Sequence, residues 1–445
     1  MNILVLYNET QTYTNAVYEH LQALEKYSTH RYFFLHISQK SLFRVDLARF
    51  DAVCVHFSLR LPFDQVPDPV AESLQNFSGL KFLFIQDEYD NTHHVWSWIQ
   101  RLRFHIVFTV VPEKSIFRVY PPQKFPDTKF VSILTGYVPI ELKTNQGFIP
   151  PSKRSLVVGY RGRKLPLRYG ALGFEKVGIG AMVAEYCKSR GIAYDISWKE
   201  EDRIYGVKWV EFLYSCRAML GTESGSNIFD WDGKVEDLIA DYKKKHPNAT
   251  ETEVYREVLS ALEVDGLMNQ ISPKIFEAIA ARTVLVLYEG SYSGVLKPNE
   301  HYISLKKDGS NIAEVFHALS DGQYVDLMVG RAYQDIIESG AYGYPALVKR
   351  LDDILSSACV NNLTVEFGGI DSYDTGDSPD SITTGPIRST NSLKKHSGRR
   401  YIEWDGDLRV NIPLGSMWQY LPKSIQSALF PMARYFRDKI TKENS

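Results

Sequence analysis

Cysteine is scarce in this chain, with four in 445 residues at positions 54, 187, 216 and 359, and they form no CxxC pair or Cys/His cluster. That scatter argues against a disulfide scaffold or a structural zinc site and fits a reducing cytoplasm. Also missing is any run of about 18 apolar residues, so no segment reads as a membrane-spanning helix. The N-terminus, MNILVLYNET, enters a strand pattern directly, so no signal peptide is expected. An excess of one charge is lacking too: a formal net charge of −2 gives no whole-chain attraction for nucleic acid, and none is expected as a partner. Finally, neither GxxxxGK[ST] nor GxGxxG occurs, which excludes a Walker loop and the usual dinucleotide fingerprint.

What the chain does have is rhythm. Short apolar runs at 2–7, 31–36, 51–57, 81–85, 104–110 and 129–134 alternate with helical patterns such as 13–26 and 93–102. Runs buried on both faces and separated by helices predict a mostly parallel sheet covered on both sides. The stretch 139–155, PIELKTNQGFIPPSKRS, breaks the pattern as a linker. The α/β alternation then restarts with SLVVGYRG at 155–162, a helix near 172–188, strands near 192–197 and 217–221, and a strand at 301–305.

The fold expected is therefore α/β, with two Rossmann-like domains facing a cleft. The first would span 1–145 and the second 155–340, the latter carrying a helical insert at 235–265 that is split by His246-Pro247-Asn248. A terminal helix is expected at 341–358. Residues 360–415, rich in Ser, Thr, Gly and Asp, read as irregular. Residues 416–445 read as an amphipathic C-terminal helix with Ile425, Leu429, Phe436 and Ile440 on one face, suited to a membrane surface or a second copy of the chain.

In such sheets ligands bind beyond the carboxyl ends of the strands. Those ends carry Asn8 and Glu9, then His56, then Asp87, Glu88 and Asp90, with His94 close behind. This makes Asn8, Glu9, Glu88, Asp90 and His94 candidates for holding an acceptor. In the second half, Arg161, Arg163 and Lys164 follow the first strand as a cluster suited to a diphosphate, with Lys176 near a helix start as a possible addition. Glu223 and Ser224 sit at another strand end.

The stretch SPKIFEAIAARTVLVLYEG at 272–290 places Ser272 at a helix N-cap and Pro273 at the first helical position. The free amides and positive dipole end of that helix attract phosphate. Glu277, one turn in, is the only ionisable side chain between Ile275 and Ala281, and a carboxylate there suits the diol of a ribose.

FEAIAARTVLVLYEGSYSGVLKPNEHYISL at 276–305 resembles the C-terminal domain of group-1, GT-B-fold glycosyltransferases, and the CgeB-like branch in particular. The resemblance covers about residues 155–320; the first half matches only in its α/β rhythm. It implies a glycosyltransferase that moves a sugar from a nucleoside diphosphate sugar to a hydroxyl acceptor, in surface glycan or glycoconjugate synthesis. It also implies that Glu277 binds ribose, that Ser272 and Lys274 bind diphosphate, and that Arg161 with Arg163 or Lys164 neutralises it. Glu223 and Ser224, at a strand end facing the same cleft, are candidates for donor-sugar or phosphate contacts. The acceptor would be a glycan, a lipid-linked sugar or a protein, and no cofactor or metal is expected. The chain departs from the family pattern at Asn269, where an acidic residue is common, and at Arg282, where glycine usually ends the helix. Without glycine a left-handed cap costs roughly 1 kcal/mol or more, so a different helix end is expected at Arg282.

For the chemistry, Asp87 is the first candidate for the base and His56 the second. Asp230-Trp231-Asp232 spells DxD, but short acidic loops produce that spelling by chance. Two other readings use the same architecture: a sugar-nucleotide epimerase that needs no acceptor, and a non-catalytic binding or assembly protein.

Overall fold

The structure is a computed structural model that describes residues 1–11, 15–39, 43–142 and 147–366. The expected irregular segment from 367 onward and the amphipathic C-terminal helix lie outside the described residues. So does any membrane or self-association role for that helix.

Among the described residues eleven strands form two sheets, and every pairing within them is parallel. The first sheet holds β1 (Asn2–Tyr7), β2 (Arg31–His36), β3 (Ala52–Val55), β4 (Leu80–Ile85), β5 (Ile106–Thr109) and β6 (Lys129–Ser132), in the order β2-β1-β3-β4-β5-β6. The second holds β7 (Leu156–Arg161), β8 (Tyr194–Ser197), β9 (Cys216–Gly221), β10 (Val284–Tyr288) and β11 (Ile303–Leu305), in the order β11-β10-β9-β7-β8. Read from the other edge, the second sheet repeats the winding of the first, so the chain is built from two Rossmann-like halves. β3, β4, β5 and β10 are buried along their whole length, as continuous apolar runs require when helices cover both faces.

The helices, in chain order, are α1 (Asn15–Tyr27), α2 (Asp68–Asn76), α3 (Thr92–Leu102), α4 (Ile116–Val119), α5 (Gly170–Arg190), α6 (Val207–Ser215), α7 (Val235–Lys245), α8 (Glu251–Val254), α9 (Pro273–Ala280), α10 (Ile312–Ser320), α11 (Gly322–Ala332) and α12 (Tyr344–Glu366). The insert is α7 and α8, closed over a small core of Ile228, Val235, Ile239, Val254 and Leu259. Thr250 and Glu253 form a capping box that starts α8.

The last helix runs further than its expected end near 358 and packs on the first half. Asp352 accepts hydrogen bonds from Ser28 Oγ (2.6 Å), Thr29 N (2.7 Å) and Thr29 Oγ1 (2.8 Å). All the described residues thus fall in one compact unit.

At the base of the second sheet Arg154, 3% exposed, is sewn to the chain around it. Its guanidinium donates to the carbonyls of Ile149 (2.9 Å), Leu213 (3.2 Å), Cys216 (2.8 Å) and Ala281 (3.1 Å), and to Thr283 Oγ1 (2.8 Å). The linker from the first half is anchored there. No helix among the described residues is long and apolar enough to cross a membrane.

Candidate active site

The switch point of the second sheet lies between β7 and β9, where the winding reverses and a crevice opens. Gly225, just past β9, has φ +100°, and a Cβ there would lie 2.0 Å from the Met268 carbonyl oxygen. Only glycine lets this turn bridge to the strand-like pair Ser224–Gln270 that leads into α9. The start of α9 presses against the first half: a Cβ on Gly136 would meet Pro273 at 2.6 Å. Thr135 Oγ1 also donates to the Ile271 carbonyl.

Two lysines converge at this point. Lys176, on α5, donates to the Glu223 carbonyl (3.1 Å) and to Ser224 Oγ (3.2 Å). Lys274, in the first turn of α9, donates to the Arg161 carbonyl (2.9 Å), its ammonium lying 5.2 Å from the centre of the Trp209 ring. Burial pushes the Lys176 pKa down to about 8, helped by the charge of Lys274, which is itself exposed. Neither makes an ion pair among the described residues. The two like charges repel, and Lys176 is desolvated besides, so an anion joining them is favourable.

Glu277 lies one turn further along α9. The Trp209 indole donates to its Oε2 at 2.7 Å, while Oε1 takes no hydrogen bond among the described residues. Burial raises the Glu277 pKa against the opposing effects of Trp209 and Lys274. Ser272 occupies the N-cap position, and its side chain makes no capping bond.

The helix end differs from expectation. Arg282 does adopt a left-handed conformation, φ +50°, with its N–H on the Ile279 carbonyl and that of Thr283 on the Ala278 carbonyl. Its guanidinium lies 3.6 Å from the centre of the Tyr333 ring, a cation–π contact that offsets the strain.

Several residues expected at the site are engaged elsewhere. The Arg161 guanidinium is turned to Asp195 Oδ2 (2.8 Å), the Asp195, Tyr160 and Asp202 carbonyls, and the face of Phe212. It therefore stabilises the β7–β8 edge and leaves no fork for phosphate. Lys164 pairs with Glu251 of α8 at 2.8 Å. Arg163 is exposed; the pKa of the Glu200 carboxyl nearby is lowered mainly by its hydrogen bond from Arg203, with the charge of Arg163 a minor addition.

Glu223, 3% exposed, accepts at Oε1 from the backbone of Ser291 (3.1 Å) and Tyr292 (2.8 Å) and from Ser291 Oγ (3.1 Å), and at Oε2 from Asn269 Nδ2 (2.6 Å). Its carboxylate has no face left for a sugar. Of that pair only Ser224 offers its side chain to the lysine cluster; Glu223 meets Lys176 through its carbonyl.

In the first half, Asp87 has φ +59° and is half exposed at the end of β4. It accepts from Tyr89 OH (2.6 Å) and Arg60 Nη2 (3.1 Å). His56 is fully buried, between Ser58 Oγ (2.9 Å) and His20 Nδ1 (3.1 Å), and packs on Phe57 and Phe84. Burial holds its pKa well below the ordinary value. It cannot meet a substrate hydroxyl from that position, which removes it as a base.

Glu88 is also fully buried. Its Oε1 accepts from the Thr109 hydroxyl and Val110 N, and burial pushes its pKa up to about 7. Asp90, 3% exposed, is held by Arg60 Nη2 (2.9 Å) and by Arg168 from the other half. Neither carboxylate is open to an acceptor. His94 bonds Asp64 at 2.6 Å on the outer surface. Asn8 donates to Gln65 (3.3 Å), and Glu9 N donates to His36 Nδ1 (3.0 Å).

The residues that sequence reasoning passed over are Arg60, Arg168 and Trp209. Arg168 also reaches Glu236 of α7 (3.4 Å), so one guanidinium ties the first half, the basic loop and the insert. The DxD segment is part of this joint. The Asp230 and Trp231 carbonyls accept the first N–H groups of α3 (3.0 and 2.9 Å), Asp230 Oδ1 caps α7, and Asp232 pairs with His93 (2.7 Å). No group of side chains suited to a metal ion occurs among the described residues.

No protein-family model matches the sequence. No curated protein matches it either. Solved structures that it is similar to include an alpha-glucosyltransferase in complex with UDP and a 13-mer DNA, at 10% identity and TM-score 0.47, covering 80% of this chain and 99% of that one. Another is Anabaena HepE in complex with UDP and glucose, at 12% identity and TM-score 0.46, covering 80% and 100%. A third is T4 phage BGT in complex with UDP-glucose, at 12% identity and TM-score 0.40, covering 81% and 99%.

Proposed function

We propose that this protein is a glycosyltransferase that takes a sugar from a nucleoside diphosphate donor and passes it to a hydroxyl acceptor. The observation that carries the reading is a pair of lysines with no ion-pair partner among the described residues, Lys176 desolvated and Lys274 exposed, beside a carboxylate that is fixed on one oxygen only. A diphosphate between those ammonium groups supplies the missing counter-charge, with Ser224 Oγ and the first amides of α9 as further donors. A ribose one turn away meets Glu277 Oε1, while Trp209 holds Oε2 and so sets the direction of the carboxylate. The resemblance of 276–305 to the CgeB-like branch belongs to this same reading.

Transfer follows from that placement. The acceptor hydroxyl oxygen attacks the anomeric carbon, the bond from that carbon to the diphosphate oxygen breaks, and the leaving charge stays on Lys176 and Lys274. The hydroxyl proton goes to Asp87, whose carboxylate is aimed by Tyr89 and Arg60. A thermal-shift panel of nucleoside diphosphates and their sugars tests the reading, since a ligand of the native state raises Tm. UDP and UDP-glucose, the ligands of the neighbours above, head that panel. A shift with a diphosphate and none with the parent nucleoside is expected; no shift with any member would sink the reading.

A further inference from the structure

The acceptor side expected at the ends of β1, β3 and β4 is largely occupied by the protein itself, through Glu88, Asp90 and His56. A cavity of about 550 Å³ opens instead at the carboxyl ends of β5 and β6, facing the loop after β10 and the start of α12. Neither Lys176 nor Lys274 lines it. Leu134 and Val295 give it an apolar floor, Asn269 and Ser291 a polar wall, and Lys114 and Arg350 an exposed cationic rim. Its size is that of a pocket for a small molecule, and apolar surface with a few polar groups is the usual lining of one.

The charges on the rim do not cancel. Arg350 spends one N–H on the Ser132 carbonyl (3.1 Å), and Lys114 has no partner among the described residues. Glu113, also on the lining and exposed, is the one carboxylate against these two cations. The cavity also lies close to the lysine cluster. Asn269 donates to Glu223 Oε2 (2.6 Å), and the carbonyl of Glu223 receives Lys176 (3.1 Å).

We infer that this cavity binds an anionic sugar, its negative group held between Lys114 and Arg350. That the ligand is a sugar rests on the transfer reading above. The group is a carboxylate, as in a hexuronate, or a phosphate, as in a sugar phosphate; both offer oxygens that an ammonium and a guanidinium can share.

The test is ligand-observed NMR titration of the full chain with glucuronate, glucose 6-phosphate and glucose, with UDP titrated in parallel. At least tenfold tighter binding of one anion than of glucose is expected, and which anion wins identifies the group. Lys114→Ala and Arg350→Ala should each erase most of that preference, and Lys114→Arg should keep it. UDP affinity and Tm should stay as in the wild type for all three. Equal binding of the three sugars, or a preference that survives both alanine variants, would overturn the site. A wild-type protein that keeps the anion preference but ignores every nucleoside diphosphate would sink the transfer reading, while leaving an anionic-sugar site in place.

Discussion

The Trp209 indole N–H reaches Glu277 Oε2 at 2.7 Å, across the gap between α6 and α9. That bond fixes which way the carboxylate faces. Glu277→Ala should weaken nucleoside diphosphate binding by about 10- to 100-fold, the usual range for a hydrogen bond to a charged group. Trp209→Phe should weaken it less, by loosening the carboxylate without removing it. Calorimetric titration of both variants checks this, and equal affinity of Glu277→Ala and wild type would contradict the ribose role.

Lys176 links binding to pH. In the free protein it loses its proton near pH 8, well below the ordinary 10.5. A bound diphosphate favours the charged form, so affinity should fall as pH rises above about 8, with proton uptake on binding in that range. Stability has the opposite sign. Between about pH 8 and 10.5 the unfolded chain holds more protons at this site than the folded one, so this lysine makes stability rise with pH. Lys176→Met should therefore abolish the pH dependence of binding together with most of the affinity, and should not lower Tm. Scanning calorimetry against pH checks the second half.

Arg154 should matter to stability alone. Arg154→Leu leaves the Leu213, Cys216 and Ala281 carbonyls without their buried donor, and a loss of about 3–5 kcal/mol is expected, as for breaking a buried charged network. Chemical denaturation measures it. Because Arg154 is remote from the lysines, any protein that does fold should bind nucleotide as the wild type does.

Asp90, buried between Arg60 and Arg168, ties the two halves together. Asp90→Ala should lower Tm by several degrees and raise proteolytic cleavage around residues 229–236, the joint it stabilises. Asp87→Asn, by contrast, should leave Tm and donor affinity near wild type and remove turnover. An Asp87→Asn variant with wild-type turnover would return the base to another residue.

Much of this was legible in the sequence, and the failures have a common cause. Apolar runs such as FLFI and VLVLY could only be buried strands, and α9 announced itself through Ser272, Pro273 and a lone carboxylate. Arg161 was visible as a strand-end cation, but its partner Asp195 comes from β8, a neighbour only after the sheet is assembled. His56 was read from its strand end, whereas its burial comes from His20 on α1, 36 residues away. The bridge from Asp90 to Arg168 spans 78 residues and two sheets. Local pattern determines which elements form. It does not say which charge will meet which once the halves close, and that is where Arg161 and Lys164 leave the expected set while Lys274, and Lys176 as its possible addition, stay in it.

The most direct measurement is a calorimetric titration of UDP into the wild-type chain and into Lys274→Ala, at pH 7 and pH 9. If the two lysines hold a diphosphate, the wild type binds at pH 7 and more weakly at pH 9, and Lys274→Ala loses at least tenfold at pH 7 with its Tm unchanged. Affinity that is the same in both proteins and at both pH values would contradict the account.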